Sequence, residues 1–294
     1  MSGSGLEGGA GEVESVSIAE RLKLTDNIHV MDVPGGGYIL LCGIYGEIEG
    51  HDKLPAGMKS TSYEKLLPVI AQAENCGDVK GVLTLINTVG GDVESGLAIS
   101  EMLSSLSKPV VNIVLGGGHS IGVPLAVSGN VSFIVPTATM IVHPIRTNTA
   151  VLGVKQNFEY IEKMQERIIQ FTVDHSSIDR KELEKLMFNT TELTKDVGSV
   201  LIGKQAVEKR VIDRIGGMSA ALKTLYDLII KKMIVKFHRI LYKHRSREVG
   251  HELITGNFDG NNTGSYRISS SQQFGTSGYF QEYFWSGDRY GYII

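Results

Sequence analysis

Apolar and polar positions along the chain follow two periods that alternate with one another. Residues 28–33 and 38–45 are short β-rich runs, and Ile39, Leu40, Leu41 and Ile44 in the second suit a buried strand. Residues 63–76 change to a helical period, with Leu66, Leu67, Ile70 and Ala73 on one face. Residues 81–86 read as a strand again, 87–92 as a connecting turn and 93–106 as a helix. The unit then repeats: strand 109–115, glycine-rich turn 116–120 and helix 121–128, followed by short strands at 131–134 and 139–142. This alternation predicts right-handed βαβ crossovers and a largely parallel α/β sheet.

Residues 155–175 form one long helix, with Phe158, Ile161, Met164, Ile168 and Phe171 stepping by three or four. That stripe is either core-facing or a handle between copies. Helices at 179–187 and 203–209, a strand at 211–215 and an amphipathic helix at 219–231 complete the pattern. The chain thus divides into a flexible tail at 1–26, one domain at 27–231, and a disordered or poorly ordered extension at 232–294. The tail is a Gly/Ser/Glu mixture with too few apolar residues to offset the entropy of ordering it. The extension opens with seven Lys or Arg and no acid over 231–247 and turns Gly- and aromatic-rich from 251.

Composition narrows the function classes. With 29 basic against 32 acidic side chains the net charge is -3, so no nucleic-acid role is expected. The two cysteines, Cys42 and Cys76, form no metal or disulfide framework and favour a reducing, cytoplasmic address. No apolar run approaches the roughly 20 residues of a membrane span, and no secretory pattern opens the chain. Glycine, at 35 residues, is the one strong excess.

The central glycines mark the candidate chemistry. Gly118-x-Ser120-x-Gly122, between a strand and a helix, has nucleophile-elbow spacing, and the helix N-terminus supplies donors for an oxyanion. A serine N-cap at a tight turn would leave the same pattern. Gly90-Gly91 is a second glycine turn at a strand's C-terminal edge, where parallel sheets bind ligands. Among eight histidines, His143 is the candidate base: it lies 23 residues after Ser120, at a strand end, before Pro144. His119 is expected to bond locally, and His175 has sufficient reason as a helix C-terminal residue. An α/β-hydrolase order of Ser, acid, His would need a late histidine, and those present fall in the basic extension.

These residues resemble the Clp protease proteolytic subunit family. The stretch from Leu85 to Val93 is similar to its Ile-Asn-Ser-Pro-Gly-Gly segment, Gly118 to Gly122 to its nucleophile turn, and Met140 to Pro144 to its histidine motif. Residues 203–213 are similar to its closing segment, and the likeness spans about 28–230. It is closest to the translocation-enhancing (TepA) branch, through Gly46 to His51, Asn87 to Glu94 and Gly116 to Pro124.

The resemblance implies an α/β fold of the ClpP/crotonase-like type, a spiral of repeated ββα units with a mostly parallel sheet and a long protruding handle helix. It also implies serine endopeptidase chemistry on peptides or unfolded segments, a homo-oligomeric ring, and no cofactor or metal. Any unfoldase partner is unidentified. In carried-over roles Ser120 is the nucleophile and His143 the general base, and the Gly90 and Ile121 amides form the oxyanion hole, with Gly91 adjacent. Counted back from Asp213 without gaps, the family's orienting aspartate falls on Gly198; a shift of register makes it Asp196. Thr88-Val89 stand where Ser-Pro is usual, and Arg210 where a glycine is usual, at little cost unless the backbone there is left-handed. A non-catalytic assembly factor with the same fold is the second reading, and a crotonase-type acyl-CoA enzyme the third.

Overall fold

The computed structural model describes residues 18, 22, 27–52, 54–55, 57–146, 154–191 and 197–254, the side chains of 240–254 excepted. Asp196 and most of the two tails therefore lie outside the described residues. The chain divides into two units, 1–242 and 243–294, and only the helical residues 243–254 of the second are described.

Among the described residues nine strands make the sheet: β1 (Ile28–Asp32), β2 (Tyr38–Glu49), β3 (Ser60–Ser62), β4 (Val79–Gly91), β5 (Val110–Gly118), β6 (Val131–Ile134), β7 (Thr139–Val142), β8 (Ser199–Ile202) and β9 (Arg214–Ile215). The main path runs β1-β2-β4-β5-β6-β9, with β3 beside β2 and β7 joining β5 to β8. Only β1–β2 and β7–β8 pair antiparallel among the described residues; the other pairs are parallel. The helices are α1 (Tyr63–Asn75), α2 (Val93–Ser104), α3 (Gly122–Val127), α4 (Lys155–Asp174), α5 (Arg180–Met187), α6 (Lys204–Glu208) and α7 (Met218–Ile254).

Both faces of the central strands are covered, so they read as continuous apolar runs. Leu40, Ile44, Val82 and Ile86 pack towards α1, α2 and α3, and Ile39, Leu83, Val111 and Phe133 pack against Ala221, Leu225 and Ile229 of α7. Strand pleating sends neighbours in sequence to opposite cores. One buried polar cluster fixes α3 on the sheet. Asn112 Nδ2 donates to Leu125 O, Ala126 O and Ser128 Oγ, and its Oδ1 accepts from Thr84 Oγ1 at 2.5 Å. The free carbonyls at the C-terminus of α3 are thereby satisfied from inside the sheet, and its N-terminus is held at the strand edge.

The sheet reaches further than the hydrophobic pattern indicates. Residues 87–91, expected as a turn, continue β4, because β2 goes on pairing past a bulge at Gly46/Glu47, through Glu47 with Gly90 and Ile48 with Gly91. Gly116 to Gly118 likewise belong to β5, with Gly118 opposite Thr88. The three-residue polar strand β3 carries no apolar period to reveal it, and β8, at four residues, is too short to show one. At the other end α7 continues past residue 231 to Ile254, through a stretch free of proline.

Candidate active site

The nucleophile turn is three residues long. After β5 ends, Ser120 adopts φ +57°, its amide donates to Ile141 O at 2.9 Å, and the Gly122 and Val123 amides return to His119 O and Ser120 O. Left-handed backbone costs a non-glycine residue roughly 1–2 kcal/mol. The bonds on either side hold it there and leave the serine side chain partly exposed at the sheet edge. Such a strained turn presents Oγ beyond the strand instead of beside it.

Gly90 must be glycine for two reasons. Its φ is +96°, and a Cβ would lie 2.6 Å from Ser120 Cβ and 2.9 Å from His119 O. This close approach sets the end of β4 against the nucleophile. The two candidate oxyanion donors differ, however. The Gly90 amide donates to Thr88 Oγ1 at 3.1 Å, and Thr88 Oγ1 in turn donates to Gly46 O at 2.6 Å. The Ile121 amide, at the N-cap of α3, has no hydrogen-bond partner among the described residues.

His143 follows β7 and lines the same cleft as Ser120, Gly91 and Ile121, a cavity of about 360 Å³. Its Nδ1 lies 2.6 Å from Pro144 O. A carbonyl only accepts, so Nδ1 carries the proton in this contact. His119 instead bonds Thr139 Oγ1 through Nε2 at 2.8 Å. Burial, and then the neighbouring charge of His143, push its pKa down, so it stays neutral. Gly198 packs directly on His143: at φ +141° a Cβ would lie 2.6 Å from Val142 O and 2.8 Å from His143 Cβ.

The far wall of the cleft comes from α4 and α5, through Ile168, Thr172, Leu183 and Met187. Arg167, one residue before Ile168, bonds Glu94 of α2 through both nitrogens, at 2.5 and 2.9 Å. The guanidinium holds the Glu94 carboxyl below its ordinary range. The lining also includes Glu47, at the end of β2, which the sequence pattern did not single out. A signal for it existed in the Gly46-Glu47 step, whose importance lies in the strand that pairs with it. Among the described residues no group of His, Cys, Asp and Glu could hold a metal ion. The arrangement can present a serine oxygen, an imidazole and at least one free amide to a carbonyl in one cleft.

Comparison with known proteins bears on family and fold. Residues 51–219 match the Clp protease family profile. The chain is 50% identical over 189 residues to "Translocation-enhancing protein TepA" of Halalkalibacterium halodurans, covering 64% of this chain and 74% of that protein. It is 28% identical over 140 residues to the ATP-dependent Clp protease proteolytic subunit of Lactococcus lactis subsp. cremoris, covering 44% of this chain and 66% of that one. Among solved structures, a ClpP1 point mutant from Listeria monocytogenes superposes with a TM-score of 0.50 at 18% identity, over 62% of this chain and 94% of the other. That likeness concerns the fold.

Proposed function

Since the chain belongs to the Clp protease family, in its translocation-enhancing branch, we propose that it is a serine endopeptidase acting on peptides or unfolded segments. Ser120 Oγ attacks the scissile carbonyl while His143 Nε2 takes its proton. The tetrahedral oxyanion is held by the Ile121 amide, and by the Gly90 amide once it turns from Thr88. Donors of this kind are each worth about 3 kcal/mol in the transition state. The C–N bond breaks as His143 protonates the departing amine, leaving an ester on Ser120. Water, deprotonated by His143, then hydrolyses that ester and restores the serine.

One observation carries this reading: a serine in strained backbone and a histidine line one cleft with Ile121, whose amide has no partner among the described residues. The test is labelling of the full chain with a fluorophosphonate probe. Labelling is expected at Ser120, lost in Ser120→Ala and strongly reduced in His143→Ala. Absence of labelling in correctly assembled protein would refute the peptidase. Asp196 is the proposed orienting acid.

The proposed setting is a cytoplasmic homo-oligomeric ring, working alone or with an unfoldase, in support of protein export; it needs no cofactor. No helix among the described residues is long and apolar enough to cross a membrane. A second reading, a non-catalytic assembly factor, is favoured by one contact. The His143 Nδ1 that a working triad turns to a carboxylate is here bonded to the Pro144 carbonyl.

A further inference from the structure

The strand order sets charges in a row along the edge of the sheet. From β2 to β4, β5 and β7 it carries Glu47, Gly90, Ser120 and then the residues after Val142, ending at Arg146. Glu47 pairs in register with Gly90, and Gly90 is in contact with Ser120. Neighbouring strands lie about 4.8 Å apart, so the Glu47 backbone sits roughly 10 Å from the nucleophile, within the joint reach of two long side chains.

Glu47 is half-buried in the cleft wall. Its amide is bonded to Lys59 O at 3.1 Å, yet its carboxylate has neither a hydrogen bond nor an ion pair among the described residues. The cleft it lines also includes Val89, Val93, Ile121 and Val123. A carboxylate in such a wall with no cation beside it among the described residues is open to pair with a cationic ligand. Arg146, of opposite charge, lines the same cleft three residues after His143.

We propose that Glu47 forms a subsite for a lysine or arginine side chain of the substrate, within about two residues of the scissile bond given the strand spacing. The inference rests on the peptidase reading of the cleft, and it names the substrate class that reading leaves open. The apolar wall of Ile168, Leu183 and Met187 accepts neighbouring side chains, while Glu47 selects by charge.

The test uses fluorogenic peptides carrying lysine, norleucine or glutamate in turn at each position from three before to three after the cleaved bond, with the full assembled chain. At one position lysine is expected to exceed norleucine at least fivefold in kcat/KM. Glu47→Gln should collapse that ratio towards one, and Glu47→Lys should invert it in favour of glutamate. A ratio near one throughout the wild-type series, or a preference that survives in Glu47→Gln, would overturn the proposal. If no peptide is cleaved, the peptidase reading has failed and the subsite is judged by binding. Fluorescently labelled lysine and norleucine peptides are titrated against Ser120→Ala by anisotropy. Tighter lysine binding that disappears in the Ser120→Ala, Glu47→Gln double variant supports the subsite; equal binding overturns it.

Discussion

Among the described residues two other than glycine hold left-handed backbone, Ser120 at φ +57° and Arg210 at φ +61°, and only the first has a chemical return. At Ser120 the conformation exposes Oγ. At Arg210 the requirement is purely structural: its carbonyl accepts from Ser177 N and its amide donates to Val207 O, bonds that a glycine would keep. The left-handed condition under which a side chain here becomes costly is therefore met. Arg210→Gly should raise the unfolding free energy by about 0.5–1 kcal/mol, the relief of strain being partly offset by a more flexible unfolded chain. The urea midpoint at fixed protein concentration reads this directly, and a lowered midpoint would contradict it. Gly198 makes the opposite case. A gap-free count puts the family's aspartate there, but its Cβ would strike the Val142 carbonyl and His143 Cβ. Gly198→Asp is expected to destabilise by about 2 kcal/mol or more and to lower serine labelling. A gain in labelling would show that the backbone yields.

Between elements, the pair of Arg167 on α4 with Glu94 on α2 spans the cleft region. Asp92 caps α2, accepting from Ser95 N and Oγ, and Glu94 follows in its first turn, where a carboxylate is favoured. One residue past Arg167, Ile168 lines the cleft, so the pair holds the apolar wall towards the glycine turn. Glu94 has a folded pKa below its ordinary value, chiefly through the hydrogen bond from Arg167. Its contribution is therefore complete above the ordinary carboxylate range and is lost as the pH falls through the lowered folded value. Both side chains are about half exposed, which limits the contribution to less than about 1 kcal/mol. Glu94→Gln should be slightly less stable than the wild type at pH 7, with the difference shrinking in paired urea titrations as the pH falls below the ordinary carboxylate range. A constant difference across that range would assign the effect to packing.

Across the whole molecule, the long helix has two halves with different partners. Ile169, Phe171 and Thr172 of α4 are buried, whereas its residues 155–167 include none that is, and Phe158 is 59% exposed. Of the two roles expected for the apolar stripe, core-facing or a handle between copies, the first holds only at its C-terminal end. Phe158, Ile161 and Met164 are not buried among the described residues, and in the proposed ring another copy of the chain would cover them. Phe158→Ser should shift sedimentation towards smaller species without changing the far-ultraviolet circular dichroism; unchanged sedimentation would place the contact between copies elsewhere. Much of this architecture was legible in the sequence, because apolar periods of two and of 3.6 are local properties of the chain. So was the place of Ser120 between a strand and a helix and of His143 at a strand end, because tight turns demand particular residues at short spacing. The sequence could not tell that the Gly90 amide is occupied by Thr88, that Gly198 packs on His143, or that Glu47 stands beside Gly90. Each of these depends on pairing between strands far apart in the chain, and it was the register of β2 against β4 and of β7 against β8 that decided them.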